Sequence, residues 1–128
     1  MLNQLLLVLL LFQIKHLVAD FVLQSAYILN NRKVYGHPGG LLHVAIHLAG
    51  SLASLLVIGG NSRTILILLL AEAVIHYHID WFKDNIVAAR SWTPKDAKFW
   101  YLLGFDQFLH QITYLGMIYY LSINLLQP

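Results

Sequence analysis

Hydrophobic residues run through four stretches of this chain, at about 2–29, 40–58, 63–83 and 95–125, each long enough to cross a bilayer as a helix. No run of 18 apolar residues is uninterrupted, and a few polar residues enter each stretch at helical spacing. The joints between stretches carry stop and start signals. Asn30 to Gly40 is rich in turn residues, and Gly59-Gly60-Asn61-Ser62 reads as a helix end followed at once by a new cap. Thr93-Pro94-Lys95-Asp96 offers a cap residue, a proline for the first helical position and an acid in the first turn. The pattern predicts one all-α domain over residues 1–128: a polytopic membrane protein, an antiparallel bundle of four transmembrane helices.

Composition sharpens this picture. Of the 128 residues, 59% are hydrophobic and 11% charged, against about 25% charged in a typical soluble domain. With a mean hydropathy of +0.65, too little polar surface remains for a free-standing soluble enzyme, a disordered chain or a coiled coil. A net charge of +2 is too small for a nucleic-acid binder. The absence of cysteine excludes disulfides and thiolate metal sites.

Charge placement predicts orientation. Arg32, Lys33, Lys83, Arg90, Lys95 and Lys98 fall in or beside the first and third connections, and only Arg63 marks the second. That bias puts the first and third connections in the cytoplasm and both termini on the non-cytoplasmic side of the plasma membrane. Trp81, Trp92, Trp100 and Tyr101 then sit at cytoplasmic helix ends, and Tyr119 and Tyr120 approach the opposite interface. A cleaved signal peptide is the competing reading of the N-terminus. No lysine or arginine precedes the apolar run Leu5–Phe12 and no A-x-A site follows it, so the segment is read as a span.

The polar residues within the stretches are the candidate chemistry. Read four apart, they are His16 and Asp20, His43 and His47, Glu72, His76 and Asp80, and Asp106 and His110. Residues four apart share a helix face, so every helix presents one polar stripe containing a histidine. Depth is a second test. At about 1.5 Å per residue, His43, His47, His76 and Asp80 lie roughly 5–10 Å inside the cytoplasmic helix ends, with Asp20 and Asp106 somewhat deeper. Alternating helix directions would scatter unrelated residues over both leaflets; these collect in one layer.

A carboxylate at the centre of a membrane helix costs about 2.5–3.5 kcal/mol, so four approach roughly 10 kcal/mol unless compensated. Lys15 and Lys83 are the basic residues in reach. Two divalent cations compensate better: Asp20, Glu72, Asp80 and Asp106 supply four negative charges, and five neutral histidines (His16, His43, His47, His76, His110) complete the donor set. Ligating histidines also lean on carboxylates through their second nitrogen. A buried dinuclear centre is the expectation, with zinc favoured and manganese, iron or magnesium as substitutes, and with Glu72 or Asp106 bridging the ions or acting as general base. The plainer alternative is interhelical polar glue. His37 reads as a solvated loop residue, and Asp84 as solvated at the water boundary. His78 faces away from His76, and Gln13, Gln24 and Tyr27 extend the stripe of the first helix.

The blocks KHLVADFVLQ (15–24), LLHVAIH (41–47), HYHIDWFK (76–83) and FDQFLHQ (105–111) resemble the signature of a bacterial membrane family, domain of unknown function 3307, over nearly the whole chain. More distantly, the histidine–acid blocks are similar to membrane-bound metal-dependent hydrolases of the YdjM group, which implies hydrolysis. The leading expectation is therefore a metal-dependent hydrolase acting from the cytoplasmic side on a lipid-linked, phosphoester or other small-molecule substrate. Its partners would be membrane lipids, with a homo-oligomer or a larger membrane complex as possible settings. Alternatives are a proton or metal-ion transporter, a di-iron lipid oxidase or hydroxylase, and a small structural subunit of a membrane complex.

Overall fold

The computed structural model describes residues 2–125, and helices are the only regular elements among them. They are α1 (Leu2–Leu17), α2 (Ala26–Asn31), α3 (Pro38–Leu56), α4 (Ser62–Arg90) and α5 (Ala97–Leu125). A π-helical turn, Val18–Val22, continues α1.

The first stretch does not run as one helix to residue 29. The Leu23 N–H bonds to the Val18 carbonyl at 2.9 Å, the five-residue closure of a π turn. Ser25 then takes an extended backbone, and its hydroxyl accepts the Ile28 N–H at 3.4 Å to start α2. No proline or glycine marks this break; a serine cap beside an underwound turn is enough. Elsewhere the joints work as expected. Gly59, with φ of 69°, ends α3, and Asn61 caps α4 by accepting the Thr64 N–H at 2.8 Å. His37 is no solvated loop residue, since its ring nitrogen accepts the Gly39 N–H at 3.0 Å and caps α3 with Pro38 at its first position. The Asp96 carboxylate accepts the Thr93 N–H at 2.8 Å and its hydroxyl at 2.9 Å, so the cap turn forms, although regular helix begins two residues after Lys95. Those hydrogen bonds hold the Asp96 carboxyl below the usual carboxylate range.

Among the described residues three helices are long and apolar enough to cross a membrane, Leu2–Val22, Pro38–Leu56 and Ser62–Arg90, where four are expected. With 29 residues α5 has ample length. What it lacks is apolarity, because Lys98, Asp106, Gln107, His110, Gln111 and Thr113 all lie in its first two-thirds.

Each long helix packs on the next in chain order, and α5 closes the ring against α1, with α2 lying on α3. Leu5, Val8 and Phe12 of α1 meet Leu55 near the end of α3, Ile65 and Leu68 near the start of α4, and Met117 and Leu121 late in α5. Start therefore meets end around the ring, and the four long helices alternate in direction. This apolar cluster fills one half of the bundle; the polar stripes occupy the other.

Candidate metal centre

All nine predicted ligands are buried, and all lie in that second half. Asp20 reaches it from the π turn, where the extra residue per turn shifts the register of the helix face. His43 and His47 come from α3, Glu72, His76 and Asp80 from α4, Asp106 and His110 from α5. Ring centroids of His47 and His76 are 3.9 Å apart, those of His76 and His110 4.2 Å, and those of His43 and His47 4.7 Å. Four stripes on four helices converge on one centre.

Among the described residues, two groups within it bring ligand-type atoms close together. In the first, one atom each from Asp20, His43, His47 and His76 lie within 4.8 Å of one another; in the second, so do atoms of His76, Asp80 and His110. Asp20 Oδ1 is 3.0 Å from His47 Nε2 and 3.3 Å from His43 Nε2, and Asp80 Oδ2 is 3.0 Å from His43 Nε2 and 3.3 Å from His76 Nε2. Ligand atoms on a tetrahedral zinc stand about 3.3 Å apart for bonds of about 2.0–2.1 Å, so these separations suit neighbouring ligands.

Hydrogen bonding alone leaves the centre unsatisfied. His43 Nε2, His76 Nε2, Asp80 Oδ2, Asp106 Oδ1 and Glu72 Oε2 are buried with no hydrogen-bond partner, whereas Asp20 Oδ1 pairs with His47 and Asp80 Oδ1 with His110. Each orphaned group costs about 1–3 kcal/mol. A cation held among Asp20, His43, His47 and His76 would satisfy the two histidine nitrogens together.

The remaining expected ligands have other partners. His16 Nδ1 lies 2.9 Å from the Tyr114 hydroxyl, and its Nε2 lies 2.9 Å from Gln107 Oε1 and 3.2 Å from Asp20 Oδ2. Glu72 stands outside both groups, its Oε1 held by the Lys15 ammonium, which also lies 3.3 Å from His47 Nδ1. Asp106 is outside them as well, with Oδ1 3.5 Å from His110 Nε2 and Oδ2 accepting from Gln107 at 3.2 Å.

Asp84 is not merely solvated: it pairs with Arg32 and lies 3.2 Å from Lys83. Arg32, read from the sequence only as a cytoplasmic marker, is buried with 6% exposure and also lies 3.6 Å from Asp80. Burial opposes its charge, but Asp80 and Asp84 outweigh that and hold the guanidinium above its ordinary range. Gln107 donates to Asp20 at 3.1 Å, and Tyr114 stands one turn beyond His110 on the stripe that begins at Asp106, a periodicity that would have found it. Gln107 and Arg32 left no such periodic signal.

These pairs change the charge count. Asp20, Glu72, Asp80, Asp84 and Asp106 face Lys15, Arg32 and Lys83, which leaves two negative charges when the histidines are neutral. One divalent ion balances that. His76 belongs to both ligand groups, and a neutral imidazole coordinates through a single lone pair.

No curated protein and no solved structure matches the chain. The model of the family described as "Protein of unknown function (DUF3307)" matches residues 6–127, which include every stripe of the buried centre, and the chain belongs to that family.

Proposed function

We propose that this protein is a membrane-embedded, metal-dependent hydrolase that acts from the cytoplasmic side on a phosphoester carried by a lipid or lipid-linked molecule. The observation that carries the reading is the set of buried histidine and aspartate atoms gathered at ligand spacing, with His43 Nε2, His76 Nε2 and Asp80 Oδ2 among them lacking a hydrogen-bond partner. Asp20, His43, His47 and His76 would hold one divalent ion, zinc first by donor type, with manganese, iron and magnesium behind it. The charge balance supports one resident ion rather than two.

The ion supplies Lewis acidity and a water nucleophile at neutral pH. The protein supplies the rest. Asp106, with an oxygen free of hydrogen bonds and His110 beside it, would accept the proton of the attacking water; Glu72 also has one such oxygen, but the Lys15 ammonium on its other oxygen makes it the weaker base. His16, Gln107 and Tyr114 orient Asp20, and Arg32 orients Asp80. The apolar half of the bundle opposes a transport reading, since Val8, Phe12, Leu55 and Leu121 stand where a conducting path would continue.

In this reading α5 crosses the bilayer with the other three long helices, and both termini lie on the non-cytoplasmic side. Its polar residues Asp106, His110 and Tyr114 turn inward, and Phe105, Phe108, Ile112 and Leu115 face outward, so partners shield what hydropathy alone penalises. Elemental analysis of detergent-purified protein is expected to find about one transition-metal ion per chain, lost in His47→Ala and Asp20→Ala. The loaded protein is expected to release phosphate or alcohol from a phosphatidate or bis-aryl phosphate probe. Wild-type protein without stoichiometric metal would overturn the reading.

A further inference from the structure

A groove outside the centre lies between α4 and α5 and encloses about 440 Å³. That falls in the range of about 300–1,000 Å³ typical of small-molecule sites. Its walls are apolar, with Ile75, Ile79, Phe82, Leu102, Phe105 and Leu109 prominent; among the described residues His78, Lys83 and Asp106 are its polar lining. The apolar end, at Val74 and Leu109, points toward the middle of the bundle's length. The charged residues lie nearer the third connection.

Asp106 belongs to both the groove and the buried centre. It lines the groove, and its Oδ1 is the orphaned atom 3.5 Å from His110. Lys83 Nζ lies 3.9 Å from the other carboxylate oxygen and is the groove's single cation. An ammonium beside a carboxylate whose other oxygen lacks a donor complements a headgroup carrying both an anionic phosphate and a hydrogen-bond donor.

We propose that this groove is a lateral lipid site, seating one acyl chain between α4 and α5 and presenting a phosphate headgroup with a hydroxyl or ammonium donor to Lys83 and Asp106. The occupant follows from where the groove opens. At this depth in a bilayer the default neighbour of an apolar helix face is an acyl chain, and the charge pair, with only Ile86 and Leu102 between it and the third connection, selects the headgroup. As the entry for a substrate, the site rests on the hydrolase reading; as a lipid site, it does not.

The test is native mass spectrometry of protein released from nanodiscs holding equal amounts of dioleoyl phosphatidylglycerol, phosphatidylethanolamine and phosphatidylcholine, with metal per chain measured on the same samples. Wild type is expected to retain the first two at least fivefold over phosphatidylcholine, which has a phosphate but no donor. Lys83→Gln should lower retention of all three. Ile79→Trp and Leu102→Trp fill the groove from opposite walls, and each should cut retention at least fivefold with metal content and melting unchanged. Leu66→Trp, on the exposed outer face early in α4, should change nothing. Equal retention of the three lipids, full retention in both groove-filling variants, or a lipid-free dimer that Ile79→Trp dissociates would overturn the proposal. Lipid preference lost with metal intact sinks the lipid site alone, and metal missing with lipid preference intact sinks the hydrolase reading alone.

Discussion

Among single residues, Lys15 and Glu72 show how the surroundings reassign a role. Glu72 shares a stripe with His76 and Asp80, and by spacing alone it ranks with them as a ligand. Lys15 arrives from α1 and takes its charge, as Arg32 takes that of Asp84. Removing one partner of such a buried pair strands the other charge, so Glu72→Gln is expected to cost about 3–5 kcal/mol in denaturant or thermal unfolding. It should nevertheless leave metal content near wild type. His43→Ala should do the reverse, lowering metal per chain at least tenfold in elemental analysis, because His43 Nε2 touches both Asp20 and Asp80. Asp96 stands apart at the surface. Its depressed carboxyl stabilises the start of α5 above the unfolded carboxylate range and loses that effect as pH falls through its lower folded value. The NMR titration midpoint of Asp96 should therefore lie below that of a reference peptide, and Thr93→Ala should move it back up.

Helices and their joints were legible to different degrees. Asn61 and Gly59 announce their joint because their chemistry is local: a side-chain oxygen for orphan N–H groups and a backbone free to take positive φ. The π turn at Val18–Val22 and the break before Ser25 are not written as punctuation. They are tolerated where α1 meets α3 and where Asp20 is bound by histidines from another helix. That approach is close at Gly50, where a Cβ would stand 2.9 Å from the Lys15 Cβ. Gly50→Ala must push α1 away from α3, and it is expected to lower both thermal stability and metal occupancy. Gly116→Ala, with open space around it, should leave both unchanged apart from a small gain in helix propensity.

At the scale of the whole molecule, the two halves of the bundle have different jobs. The apolar half supplies packing; the polar half is a store of unsatisfied groups that a bound ion would relieve. Ligand binding to the folded state alone stabilises by mass action, so chelation is expected to lower the melting temperature, by the equivalent of about 4 kcal/mol if free metal had stood at about a thousand times Kd. Zinc should restore it, and His47→Ala should show neither response. Topology has an independent check in the natural absence of cysteine. With single cysteines at Asn61 and Ser91, a membrane-impermeant thiol reagent applied to intact cells should label the first and spare the second. The opposite pattern would invert the orientation and place the polar half on the far side.

From the sequence alone come the helical class, the joints at Gly59 and Asn61, the four histidine-bearing stripes and their common depth. Each follows from local chemistry or from period and length along one helix. Only the tertiary structure decides which partner each polar group meets. Lys15 crosses to Glu72, Arg32 folds back to Asp80 and Asp84, and Gln107 reaches Asp20, contacts between residues far apart in the chain. Electrostatic energy depends on those separations and not on sequence order. The four carboxylates on the stripes therefore read as four charges along the chain, and the folded bundle leaves two once the buried cations are paired.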